Sequence, residues 1–189
     1  MDFERHFRVC GEKNVDFKIN APTGIVLCDV KEVRNSKSGS TGEIDAYTHI
    51  REDLNSLRKK FGHNKPDIPV VLVTMNFSNN FFTGHTVARA MFGDIGIKLS
   101  GKARGEIHHL PRGNASMTKT TNRSISGVLV FDCASDRHVY FSNEFAHIKL
   151  PSGCFPGVDE VGLQRNSGAQ ELIRLSNYMF WEYHENGML

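Results

Sequence analysis

The feature that most constrains this chain is a helix followed directly by a buried strand. Tyr47, Ile50, Leu54, Leu57 and Phe61 recur at intervals of 3, 4, 3 and 4, which lays a single apolar stripe along an α-helix. Ser40-Thr41-Gly42-Glu43 has the spacing of a capping box at its start. Lys59 and Lys60 suit the negative end of the helix dipole, and Gly62 suits the position just past it. Pro69 then opens the run Val70-Val71-Leu72-Val73-Thr74-Met75, short and β-branched, as a strand buried on both faces of a sheet should be. Strand, helix and buried strand in succession predict a parallel crossover.

Upstream, the spacing of Phe3 and Phe7 with Asp2 as N-cap predicts a short helix over Asp2 to Val9, ended by Gly11. Asn14 to Asn20 alternates as a strand, with Val15, Phe17 and Ile19 against Asp16 and Lys18. Pro22-Thr23-Gly24 signals a turn, and Gly24 to Val33 reads as the second strand of a hairpin. Asn35 to Gly42 is polar and reads as a loop.

Downstream, a helix is expected over Thr83 to Phe92, and strands over Ser126 to Phe131 and His138 to Phe141. Residues 148 to 169 carry two prolines and four glycines and read as an extended loop. Leu172, Leu175, Met179 and Tyr183 lie on one stripe and predict a closing helix over Gln170 to Tyr183.

Composition narrows the class. A chain of 189 residues, 39% hydrophobic and 23% charged, is expected to form one soluble α/β domain. No apolar run approaches the roughly 18 residues of a membrane span, and the charged start from Met1 to His6 does not resemble a signal peptide. A cytoplasmic location, with no membrane partner, is the expectation. Net charge is only +2. Lys98, Lys102, Arg104, Arg112, Lys119 and Arg123 nevertheless face a single acid, Glu106, across their stretch. Such local excess suits either phosphate contact or a solvated loop. Cys10, Cys28, Cys133 and Cys154 form no C-x-x-C pair, which argues against a structural zinc site. His108 and His109 are neighbours, but adjacent strand residues point to opposite faces.

The chemistry lies in the predicted hairpin. With its turn between Pro22 and Thr23, Asp16 falls opposite Asp29, and Lys31 shares the face of Asp29. Paired carboxylates beside a lysine can bind Mg²⁺ through hard oxygens, polarise a phosphodiester and position a water. The same residues can equally form an ion pair on a strand surface.

Here the sequence resembles the core of the PD-(D/E)XK nuclease superfamily. Glu4 lies on the first predicted helix, Asp16 on Asn14-Val15-Asp16-Phe17-Lys18-Ile19, and Asp29-Val30-Lys31 follows Ile25-Val26-Leu27-Cys28. The amphipathic helix and buried strand come next, so the likeness spans roughly the first 75 of 189 residues. Val15 stands where the motif's proline would be, and Asp29 replaces the commoner Glu.

The resemblance implies a restriction-endonuclease-like central mixed sheet flanked by helices, elaborated over residues 95–189. It implies Asp16, Asp29 and the Val30 carbonyl as ligands of Mg²⁺ or Mn²⁺, Lys31 as the catalytic lysine, and Glu4 behind the ligands or on a second metal. DNA is the implied substrate, with RNA open, and a homodimer is a common arrangement. Arg51 and Arg58, seven apart on the long helix, and Lys102 and Arg104 are the candidate phosphate contacts. The rival reading is a non-catalytic nucleic-acid-binding or protein-interaction module on the same fold.

Overall fold

Phe17–Ala21 (β4) and Gly24–Glu32 (β5) form the hairpin in the expected register, from Phe17 opposite Cys28 to Ala21 opposite Gly24. Gly24 closes the turn at a φ of +136°, a conformation that side chains with a Cβ rarely adopt. The computed structural model describes residues 2–5, 8–10, 13–33, 46–61, 66–77, 84–99, 107–133, 137–166 and 169–174. Before the hairpin stand Asp2–Arg5 (β1), Arg8–Cys10 (β2) and Lys13–Asn14 (β3). After it come Ala46–Phe61 (α1), Val70–Asn76 (β6), Gly84–Phe92 (α2), Asp94–Leu99 (β7) and Ile107–Gly113 (β8). Gly127–Asp132 (β9), Arg137–Ser142 (β10), Asp159–Asn166 (β11) and Ala169–Arg174 (β12) complete the order.

Eight of the strands make one mixed sheet in the order β1-β4-β5-β6-β9-β10-β11-β12. β5, β6 and β9 run parallel to one another, which is the crossover that the α1 stripe and the Val70 run predict. β1, β4 and β5 form an antiparallel meander, and β9 and β10 the expected second hairpin. The chain is therefore α/β with a mixed sheet, as its periodicities indicate.

The two faces of that sheet are covered differently. On one, Leu27, Val70, Leu72, Val128, Val130, Val139 and Phe141 belong to a core with Ile50, Leu54, Leu57 and Phe61 of α1 and Val87, Ala90 and Met91 of α2. On the other, Val26, Cys28, Val71, Val73, Leu129 and Tyr140 are covered by Leu150, Cys154, Phe155 and Val158 from an irregular segment. Both described helices thus pack on the same face.

Four expectations are corrected. The helix over Asp2 to Val9 is instead two strands. Phe3 pairs with Ile19 and Glu4 with Lys18, because the open edge of β4 offers backbone groups that a strand satisfies and a helix does not. The strand over Asn14 to Asn20 is interrupted at Val15 and Asp16, where Val15 is buried in the helix-side core. The loop over 148–169 ends at Asp159, where β11 begins alongside β10. Residues 169–174 are β12, joined to β11 through six residue pairs from Asn166–Ala169 to Val161–Arg174, rather than the start of a helix. In so short a run, helical and strand spacings are easily confused. The rest of that expected helix, the capping box at Ser40 and the loop over 35–42 lie outside the described residues. β7 and β8, which no periodicity announced, form a separate antiparallel pair that carries Lys98 and Arg112.

Candidate active site

Alternation along β5 sends Leu27, Asp29 and Lys31 to the helix side of the sheet and Val26 and Cys28 to the other. Asp29 consequently enters the layer beneath α1, and it is 0% exposed. A carboxylate there loses its hydration at a cost of several kcal/mol, so it needs partners. Two ammonium groups supply them. Lys60, from the last turn of α1, donates to Asp29 Oδ1, and Lys31 Nζ lies 3.1 Å from Oδ2. The Lys31 contact is an ion pair without hydrogen-bond geometry, and Oδ2, shielded from solvent, accepts no hydrogen bond. Both lysine side chains reach the surface, at 28% exposure for Lys31 and 21% for Lys60.

Asp16 joins the site by breaking its strand. The ladder between β4 and β5 stops at Phe17 and Cys28, which leaves the next β5 amide on that side, Val30, without a backbone acceptor from β4. Asp16 Oδ2 accepts that N–H at 2.7 Å. In a strand the N–H and C=O of one residue point to the same side, so the Val30 carbonyl also faces the β4 side of β5. Asp16 is thereby tied to the backbone of the residue between Asp29 and Lys31.

β6 adds a polar margin. Thr74, paired in register with Lys31, is 3% exposed, and its Oγ1 has no hydrogen-bond partner. Two residues on, Asn76 Nδ2 donates to Asp132 Oδ1 at 3.1 Å, across the β6–β9 pair. Asp29, Lys31, Thr74, Asn76 and Asp132 thus lie toward the carboxyl ends of three parallel strands, where open α/β sheets present their ligand sites.

The remaining expected residues are dispersed. Glu4 stands on the edge strand β1, 61% exposed and 3.6 Å from Lys18, with β4 between it and β5. A helix carrying Glu4 toward Asp29 is not formed. On α1, Arg58 is exposed, whereas Arg51 is half-buried with Nε and Nη2 shielded from solvent. Lys102 and Arg104 lie outside the described residues. Away from the site, Asn143 is structural, donating to the carbonyls of Asn122 and Ile125 at 3.2 and 2.8 Å.

Sequence reasoning assigned Lys60 only to the helix dipole and Thr74 only to an apolar run. The signals were present. Lys60 lies three residues after Leu57, at the border of the buried stripe, and Thr74 is the hydroxyl in an otherwise apolar strand.

Among the described residues no group of three or more His, Cys, Asp and Glu side chains is placed to hold a metal ion. The set of two carboxylates and a carbonyl is instead all hard oxygen, and Mg²⁺ binds through one or two carboxylates while keeping waters. With Oδ2 of Asp29 lacking a hydrogen bond, the donors fit a small divalent cation. No family model, curated protein or solved structure matches the chain.

Proposed function

We propose that this chain is a Mg²⁺- or Mn²⁺-dependent nuclease of the PD-(D/E)XK kind, acting on DNA. The observation that carries the reading is the stretch Asp29-Val30-Lys31 of β5, with Asp16 joined to it through the Val30 amide. The β4–β5 hairpin followed by the α1 crossover to a parallel β6 supports it, since the resemblance implies that succession, although the helix it implies ahead of the hairpin is strand β1 instead. Asp16, Asp29 and the Val30 carbonyl would hold the ion. When bound, it would supply Lewis-acid polarisation of the scissile phosphate and a more acidic water.

The chain's own residues do the rest. Asp16 anchors the β5 backbone by accepting the Val30 amide. Lys31, its ammonium at the surface end of the site, orients the attacking water and stabilises charge that grows on the phosphate. Arg58, exposed on α1, is in reach of solvent and of a phosphate backbone. Lys102 and Arg104 extend the same proposal. A cytoplasmic protein with free Cys28 and Cys154 suits a reducing compartment, and a homodimer would let two sites address two strands. No described helix is long and apolar enough to cross a membrane.

One observation favours the rival, a non-catalytic interaction module. Asp29 is wholly buried and faces two ammonium groups, an arrangement that also serves as a structural ion triad. Titration of the protein with Mn²⁺, beside Asp16→Asn, separates the two. Binding by the wild type that the substitution abolishes supports the nuclease and justifies assays on duplex and single-stranded DNA and RNA. A wild type that binds no Mn²⁺, even with DNA present, leaves the triad as architecture.

A further inference from the structure

Asp29 has two oxygens, and the one that accepts a full hydrogen bond is taken by a residue outside the D-x-K stretch. We propose that Lys60 is an exchangeable counter-ion: it holds Asp29 in the metal-free protein, leaves when a divalent cation arrives, and then meets the phosphate backbone of the substrate. This rests on the nuclease reading and adds a residue and a step to it.

Charge makes the argument. Asp16 and Asp29 against Lys31 and Lys60 leave the metal-free site formally neutral, so Asp29 can be buried without a metal. A divalent cation added to that set brings two unbalanced positive charges beside an ammonium that already occupies an Asp29 oxygen. An ion on Oδ2 and Lys60 on Oδ1 would share one carboxylate and repel each other, and Lys60 is the one on a flexible stem. Its four-carbon chain can swing without moving the backbone. It also has somewhere to go, because residues in the last turn of a helix are attracted to its unsatisfied carbonyls. Lys60 lies one residue before the end of α1 and is already 21% exposed. Lys31, 3.1 Å from Oδ2, stays at the site because the nuclease reading assigns it the attacking water. The site with its ion and both lysines carries the positive excess that a phosphodiester chain neutralises.

The test is calorimetric titration of Mn²⁺ into wild type, Lys60→Met and Lys60→Arg. Removing the competitor should tighten Mn²⁺ binding about tenfold in Lys60→Met, while Lys60→Arg stays near wild type. Equal or weaker binding in a folded Lys60→Met would overturn the role of Lys60 and leave the carboxylate site standing. A wild type that binds no Mn²⁺, or binds it as well as Asp29→Ala does, would overturn both. Wild-type protein gives a second readout that requires no substitution. Reductive methylation mapped by mass spectrometry should label Lys60 several-fold faster with Mn²⁺ than without it, against exposed Lys149 as reference. Labelling of Lys60 that stays constant or slows while Mn²⁺ binds would refute the exchange.

Discussion

Asp29 and Glu160 are both buried acids of one sheet, on opposite faces, and they are held in different ways. Glu160, 5% exposed, pairs in register with Tyr140 on the face under the irregular segment. It accepts from the Ser152 hydroxyl at 2.7 Å and the Gly153 amide at 2.8 Å. Those donors are short, and one belongs to the backbone, so Glu160 pins the segment that covers its face. Asp29 has no such fixed donors. Two long ammonium side chains reach it from β5 and α1, and Oδ2 accepts no hydrogen bond. A carboxylate that serves architecture ends with its oxygens satisfied by groups that cannot leave. Asp29, on the nuclease reading, keeps an oxygen in reserve and partners that can move.

Substitution should break the pair in opposite directions. Asp29→Ala has the largest expected effect: loss of Mn²⁺ binding and of any metal-dependent cleavage. Its melting temperature should change little, because Lys31 and Lys60 can both extend to solvent. Glu160→Ala should leave Mn²⁺ binding intact and cost about 3 kcal/mol of stability, having orphaned two donors to a charged group. Urea denaturation of both variants, read beside Mn²⁺ titration, checks this. A Glu160→Ala protein as stable as wild type would remove the contrast.

The contrast also explains what could be read from the residues. The hairpin register, the α1 stripe and the parallel crossover were legible because periodicity and turn chemistry act locally. The pairing of Asp29 with Lys31 followed from alternation alone. What was illegible depended on partners distant in the chain. Asp2 to Arg5 became a strand because β4 had an open edge, and Ala169 to Arg174 because β11 did. Lys60 reached Asp29 across 31 positions. Asp16 was expected opposite Asp29 on a continuous strand. It bends out instead, because the amide of Val30 offered its carboxylate a better partner than the ladder did.

The next effect is smaller and depends on pH. Burial, with Cys154 and Asp29 nearby, pushes the Cys28 thiol from 9.0 up to about 12. Burial, with Glu160 beside it, also holds the Tyr140 phenol above its usual range. A raised value means the folded protein keeps a proton that the unfolded chain releases. Below pH 9.0 this costs nothing. Between 9.0 and about 12 stability falls as pH rises, by at most about 1.4 kcal/mol per pH unit for each such group. Urea midpoints at pH 8 and pH 10.5 should therefore diverge in wild type, and diverge less in Cys28→Val. Equal steepness in the two proteins would show that Cys28 takes no part.

The smallest predicted effect compares two buried hydroxyls. Ser126 Oγ donates to the Ile148 carbonyl at 2.7 Å and accepts the Val70 amide at 3.0 Å, so Ser126→Ala should cost about 1–2 kcal/mol. Thr74 Oγ1 is equally enclosed but has no partner. Thr74→Val preserves its shape and removes only a polar atom whose burial is uncompensated, so stability should hold or rise by up to about 1 kcal/mol. Mn²⁺ affinity then tells whether that hydroxyl, in register with Lys31, takes part in the proposed site. If Thr74→Val is stable and its Mn²⁺ affinity falls, with Thr74→Ser restoring it, Thr74 belongs with Asp29 among the groups held in reserve. If the affinity is unchanged, Thr74 takes no part in the proposed site, and its buried hydroxyl is only a cost to stability.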